Sequence, residues 1–392
     1  MDGGSVEGRR SAGSPRRDHR IDVLRGASIL VVLILHFNLA YNLVKSPFSA
    51  IFSERVVNAI VWNGNYGVTI FFVISGFLIT STSLRRFGSL GQVSAKAFYA
   101  FRVARIFPCL FLILPVITIL AIARVPFFAS NKPVSLWLAT FSVLTFWHNV
   151  LMANVGYFNY GLNVLWSLSV EEVFYIVFPL LCLALRKPRW IVPVWIAAII
   201  YGPIYRSRHL DNEILYLYAY FACFDAIALG CCMAVLAKSV RVSRALRNIV
   251  QAAAALTMAA VYVYKPIGDN AVWGPTIMAV GAAAFLLVEG ASRDVVSSSG
   301  DAVSAPVFLI SRPIAWMGKH SYELYLFHII VLAAMRNVIA RRDLAYGYKP
   351  LWFFLFMALS LLVAWLIARF YSEPLNANIR KLLSGRQTVP AR

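Results

Sequence analysis

Residues 23–44 read Val-Leu-Arg-Gly-Ala-Ser-Ile-Leu-Val-Val-Leu-Ile-Leu-His-Phe-Asn-Leu-Ala-Tyr-Asn-Leu-Val, an apolar run interrupted by one Arg and one His. At about 1.5 Å per residue, roughly 20 such positions cover the ~30 Å hydrocarbon core of a bilayer. The stretch therefore reads as a membrane-spanning helix, and its two ionisable groups as a first clue to function. Nine more stretches share its character: 66–84, 104–123, 165–185, 190–205, 214–237, 248–264, 271–290, 320–340 and 351–371. An eleventh, 134–152, is shorter and carries Ser135, Thr140, Ser142, Thr145, His148 and Asn149.

The whole chain of 392 residues is 60% hydrophobic and 14% charged, with a mean hydropathy of +0.70. Soluble domains average about 45–50% apolar and about 25% charged. A water-soluble fold is excluded for want of polar surface, and intrinsic disorder because it needs low hydrophobicity. The fold class is all-α: a polytopic integral membrane helical bundle of about ten transmembrane helices in a lipid bilayer. Cys109, Cys182, Cys223, Cys231 and Cys232 lie in apolar stretches, odd in number and without CxxC spacing. They read as small apolar residues, with no metal site and no disulfide framework.

The net charge is +20, from 37 Lys and Arg against 17 Asp and Glu. Basic cytoplasmic loops of a membrane protein yield such an excess by themselves, and no nucleic-acid partner is expected. The same loops set the orientation. Put the N-terminal tail (Arg9, Arg10, Arg16, Arg17, Arg20) in the cytoplasm and let 134–152 not cross. The groups Arg85/Arg86/Lys96/Arg102/Arg105, Arg186/Lys187/Arg189 and Lys238/Arg241/Arg244/Arg247 then fall on that side, as do 291–319 and the C-terminal tail. Inside segments hold 24 Lys and Arg and outside ones 10. A full crossing by 134–152 would invert everything after it. Both termini are thus expected in the cytoplasm, with 134–152 re-entrant or at the outer interface. Basic tails at 1–20 and 376–392 flank a transmembrane domain at 21–375. No cleaved signal peptide is expected, because the first apolar run is long enough to remain a helix. Residues 291–306, rich in Ser, Gly and Asp, read as a flexible loop.

A charge near the bilayer centre costs from about 3 to over 10 kcal/mol, so titratable groups inside the spans are functional candidates. Arg25 and His36, eleven residues apart, come within about 20° of one helix face. A snorkelling Arg and a His bonded to a neighbouring helix are the plainer alternative. Ser75, in Phe71-Phe72-Val73-Ile74-Ser75-Gly76-Phe77, is a candidate contact, or with Gly76 merely permits close helix approach. Arg102 and Arg105, at i and i+3, with Arg85 and Arg86 nearby in sequence, form the guanidinium cluster that a phosphorylated ligand needs. Orientation by charge, or contact with anionic headgroups, is the alternative. Glu171 and Glu172 enter a hydrophobic helix roughly 8 Å beyond Trp166, and adjacent positions point about 100° apart. One is therefore expected to face a cavity and the other a polar neighbour. Asp225 reads as a hydrogen-bond anchor. Ser321 and His328 share a face, with Tyr325 one turn from His328; His148 and His209 read as ordinary polar residues.

In order along the chain, these residues are similar to those of the membrane acyltransferase-3 family. Its members O-acylate sugars of bacterial surface polysaccharides, oligosaccharides or secondary metabolites. The resemblance runs from about 19 to 375. It rests on Arg25-x10-His36, the Phe71–Phe77 stretch, Arg102-x-x-Arg105, Trp166-Ser-Leu-x-x-Glu171, Phe224-Asp225, Gly318-Lys-x-Ser-Tyr-x-x-Tyr-x-x-His328 and Glu373-Pro374. Thr69 departs from it, standing where the family often has Asp after Gly-Val. Members with an extra hydrolase-like domain carry it after the last span, and none is expected here.

The resemblance implies cytoplasmic acyl-CoA as donor, with acetyl the commonest group, and a carbohydrate or polysaccharide hydroxyl as acceptor. It implies a multi-pass protein of the bacterial inner membrane and no metal. It makes His36 and Glu171 candidate catalytic residues, with Arg25, Arg102, Arg105 and Arg85 binding the donor. Ser75, Trp166, Tyr325 and His328 become candidate substrate contacts. The rival class is a transporter or flippase of a lipid-linked glycan. It would share polar groups at mid-membrane but should carry repeat-related broken helices, which the sequence does not show.

Overall fold

The structure, a computed structural model, describes residues 18–296 and 305–385. Residues 1–17 with most of the basic N-terminal tail, the centre of the 291–306 loop, and residues 386–392 lie outside the described residues. Among the described residues every regular element is a helix. The principal ones are α1 (His19–Tyr41), α2 (Asn65–Phe87), α3 (Ala95–Ile122), α4 (Leu136–Leu144), α5 (His148–Val155), α6 (Trp166–Leu185) and α7 (Pro188–Ser207). They continue with α8 (Tyr220–Ala237), α9 (Arg244–Tyr264), α10 (Gly274–Val296), α11 (Ala305–Lys319), α12 (Ser321–Val338), α13 (Lys349–Ile367) and α14 (Glu373–Gly385).

Seven of the described stretches, those holding α1, α2, α3, α6, α8, α9 and α13, are both long and apolar enough to cross a membrane; Gly274–Leu287 in α10 is a shorter apolar helix. Helices α7 and α12 occupy two more of the expected positions, at 20 and 18 residues. The chain is a polytopic helical membrane bundle.

The 134–152 region is not a spanning helix. It forms α4 and α5, of 9 and 8 residues, hinged at Phe146 with φ 63°. Each rises only about 12–14 Å, well short of the bilayer core. His148 is more than an ordinary polar residue: it is fully buried and clips this hairpin to α6. Its Nδ1 bonds the Ser142 hydroxyl at 2.8 Å and its backbone N–H donates to the Ser169 hydroxyl at 3.2 Å.

The expected span 214–237 is broken into Glu213–Tyr218 and α8 by an extended Ala219, ψ 152°. The Tyr218 carbonyl accepts from Asn149 Nδ2 at 3.1 Å, which satisfies it at the break. The expected loop at 291–306 is helical at both ends, through Val296 and again from Ala305. Residues 376–385, expected as tail, belong to helix α14.

Two close crossings frame the centre. A Cβ on Gly76 of α2 would sit 2.0 Å from the Ile227 carbonyl oxygen of α8, and one on Gly230 of α8 2.0 Å from that of Val73. Gly26 of α1 and Gly318 of α11 are paired in the same way, each 1.8 Å from the other helix's Ile314 or Asp22 carbonyl oxygen. Such backbone contact is what drives helix association in lipid.

Asp225 is the anchor expected of it. Its Oδ2 accepts from Arg206 Nη2 and from the Thr276 hydroxyl, both at 2.8 Å. Arg206, fully buried on α7, also donates to the Ala222 and Val272 carbonyls. Removing one partner of a buried pair costs about 3–5 kcal/mol. Arg206→Ala is therefore expected to lower the unfolding temperature of the detergent-solubilised protein, measured by intrinsic fluorescence, clearly more than Arg208→Ala on the exposed surface.

Candidate active site

A cavity of about 360 Å³ opens between α1, α2, α3, α6, α12 and α14. Helix α1 carries Arg25 into it, only 8% exposed, with Nη2 donating to the Ser321 hydroxyl of α12 at 2.8 Å. From α2 comes Ser75, hydrogen-bonded to the Tyr175 hydroxyl of α6. The guanidinium carbon of Arg102 on α3 lies 4.5 Å from the Tyr175 ring centre, a cation–π distance. Arg105 lines the same wall one turn further on, and among the described residues Glu171 is the one carboxylate in the lining. Arg25, Arg102 and Arg105 are within electrostatic reach of it.

Glu172, its neighbour in sequence, points away as the helix phase requires. It is 5% exposed, and its Oε1 has no hydrogen-bond partner, so the expected polar neighbour is missing on that oxygen. Of the two arginines at the end of α2, Arg86 lines the cavity, its guanidinium carbon 3.6 Å from the Phe101 ring centre. Arg85 is exposed and donates to Thr82; it lies outside the lining. Sequence reasoning did not single out Arg380 of α14, which does line the cavity.

A second, larger cavity of about 1350 Å³ lies on the other side of the centre, lined by His36, Asn65, Tyr157, Trp166, Glu213, Tyr218 and Lys265 among others. His36 Nδ1 is 2.9 Å from the Val32 carbonyl oxygen. A carbonyl only accepts, so the proton sits on Nδ1 and Nε2 keeps its lone pair. The His328 ring packs against it edge-on, centroids 4.9 Å apart. His328 is itself 1% exposed, held by Nδ1 to the Leu324 carbonyl at 2.9 Å, and its Nε2 has no partner. It lies behind His36 and outside both linings. Trp166 stacks on Tyr218 with ring centres 4.2 Å apart, and the Tyr157 hydroxyl bonds both Tyr218 and Glu213.

Val68 and Tyr325 line both cavities. The Tyr325 hydroxyl is pinned: it donates to the Val164 carbonyl and accepts from the Ser167 hydroxyl, each at 2.8 Å. The stripe expected from Arg25 to His36 is thus shared between two chambers. Arg25, Ser75, Arg102, Arg105 and Glu171 gather on one side, His36 and Trp166 on the other, and Tyr325 stands between them.

The chain is similar to the O-acetyltransferase OatA of Staphylococcus aureus, 26% identical over 387 residues, covering 93% of this chain and 58% of that protein. It is also similar to the peptidoglycan O-acetyltransferase OatA of Listeria monocytogenes, 24% identical over 376 residues, covering 91% and 56%. The chain spans less than three fifths of the length of these two relatives. No solved structure matches it. The acyltransferase domain matches residues 18–369, which hold both cavities apart from Arg380, and the chain belongs to that acyltransferase-3 family.

Proposed function

We propose that the chain moves an acyl group, acetyl in the first instance, from cytoplasmic acyl-CoA to a hydroxyl of a carbohydrate acceptor on the far side of a bacterial cytoplasmic membrane. The observation that carries this reading is the back-to-back arrangement of the two cavities. One is lined by guanidiniums and the other by an imidazole and aromatic rings, with Val68 and Tyr325 as common wall. The excess of basic residues at the arginine end supports a cytoplasmic position for that end. The relatives' names, O-acetyltransferase and peptidoglycan O-acetyltransferase, support acetyl as the group and a glycan as the acceptor.

Arg86, Arg102 and Arg105 hold donor phosphates at the rim, where charge-assisted bonds to phosphate are strongest in paired guanidiniums. The pantetheine arm runs inward past Ser75 and Glu171 and brings the thioester towards Arg25 and Tyr325. From the opposite chamber the acceptor sugar lies on the Trp166–Tyr218 stack and presents a hydroxyl to His36. Nε2 takes the hydroxyl proton as the oxygen attacks the thioester carbon. The new C–O bond forms, the C–S bond breaks, and CoA leaves as its thiolate.

The test uses purified protein in nanodiscs with radiolabelled acetyl-CoA and a set of glycans. Release of CoA together with labelled glycan is the expected outcome. Passage of a lipid-linked glycan across the bilayer with no CoA release would support the transporter instead. Within the same assay Arg102→Ala is expected to raise the KM for acetyl-CoA roughly tenfold and the KM for the acceptor much less. Equal effects on both would contradict phosphate capture at this position.

A further inference from the structure

Among the described residues, four guanidiniums line the arginine cavity besides Arg25: Arg86, Arg102, Arg105 and Arg380. The first three lie within the family match at 18–369 and the fourth lies beyond it. A specific piece of backbone delivers it. After α13 the helix widens into a π-turn at Ala368–Ser372, a form that recurs at functional sites. There the Ser372 hydroxyl donates to Glu323 Oε1 of α12 at 2.5 Å, both residues being buried. Lys319 and Glu373 meet at 3.6 Å on the adjoining turn. From this tether α14 lies against α3. The Arg380 guanidinium carbon sits 5.8 Å from the ring centre of Phe101, the ring that Arg86 covers at 3.6 Å.

Among the described residues, none of these four arginines is within salt-bridge distance of a carboxylate. Glu171 offsets only part of this charge, acting on Arg102 and Arg105; the remaining like charges repel, and a ligand bearing several negative charges relieves that repulsion. Burial grades the set. Arg25 is buried, Arg102 half-buried, and Arg86, Arg105 and Arg380 are exposed. Arg86 and Arg380, which also share the Phe101 ring, are thus among the groups away from the buried end where a thioester would lie.

We propose that Arg380, which shares the Phe101 ring with Arg86, binds the phosphomonoester at the nucleotide end of the acyl-CoA donor, so that α14 selects a fully phosphorylated donor over a truncated one. This rests on the acyl-CoA reading above. An anionic lipid headgroup offers the same phosphate oxygens, and the test separates the two sources.

Wild type, Arg380→Ala and Arg380→Lys are compared in nanodiscs of zwitterionic lipid, with and without phosphatidylglycerol. Acetyl-CoA and acetyl-dephospho-CoA serve as alternative donors. Wild type is expected to favour acetyl-CoA in kcat/KM by roughly tenfold. Arg380→Ala should raise the KM for acetyl-CoA by about the same factor, leave kcat unchanged, and leave the KM for the dephospho donor unchanged. Constant turnover of the dephospho donor also reports that the variant is folded. Arg380→Lys should fall between the two, and added phosphatidylglycerol should alter none of these ratios. An equal effect on both donors, or one that appears only with phosphatidylglycerol, overturns the assignment of Arg380 and leaves the acyl-CoA reading standing. Wild-type protein that releases CoA from neither donor overturns both.

Discussion

His36→Ala is expected to lower kcat for acyl transfer by about 10²–10⁴-fold, the range that a positioned general base contributes, with the KM for acetyl-CoA nearly unchanged. Among the described residues, His36 is the one histidine lining either chamber. Its Nδ1 is committed to the Val32 carbonyl, which leaves Nε2 as the lone pair available for an acceptor hydroxyl. In the proposed arrangement the donor's phosphates lie among arginines in the other chamber, so the loss should fall on turnover rather than donor binding. Added imidazole should restore part of the rate, an effect that a purely structural histidine would not show. A monodisperse His36→Ala protein with more than a tenth of wild-type turnover would remove His36 from the role of base.

The second large effect is expected at Glu171, with a loss of roughly 10²-fold in kcat on replacement by alanine. Among the described residues it is the only carboxylate lining the arginine cavity, close to Arg25, Arg102 and Arg105. The sign of the binding change is informative. Removing a negative charge beside a site for a polyanion strengthens ground-state attraction, so the KM for acetyl-CoA should stay level or fall while kcat drops. That pattern marks a group that arranges the reacting end of the donor, not one that holds its phosphates. Unchanged kcat with a raised KM would contradict it. Glu171→Gln keeps the shape and is expected to recover little of the rate.

The helical bundle was legible because lipid admits few alternatives. A long apolar run with no water to satisfy its backbone can only wind into a helix, and runs of that kind fill most of this chain. The two short helices of the 134–152 region accord with its polar load. The break at Ala219 was not legible, since no Pro or Gly marks it; the carbonyl at the break is met by Asn149 from a distant helix.

Helix phase puts Arg25 and His36 on one stripe, but phase says nothing about what stands beside the stripe. Val68 of α2 and Tyr325 of α12 come between their two chambers. The choice between Arg85 and Arg86 turns on packing: Arg86 covers the Phe101 ring, while Arg85 is exposed and donates to Thr82. Arg380 was hidden for another reason: its approach to Phe101 depends on the π-turn and on the Ser372–Glu323 tether.

Donor and acceptor are taken here to enter from opposite ends of the bundle and to react across Val68 and Tyr325. The direct measurement is vectorial transfer in proteoliposomes. Molecules with the arginine end outward are counted by labelling an Arg85→Cys variant with a membrane-impermeant reagent. Radiolabelled acetyl-CoA is added outside, and the glycan acceptor is either sealed in the lumen or supplied outside. The expected result is labelled glycan inside the vesicles, in proportion to the outward-facing fraction, and none from these molecules when the glycan is outside only. Product that forms only when donor and acceptor share a compartment would contradict transfer through the bundle.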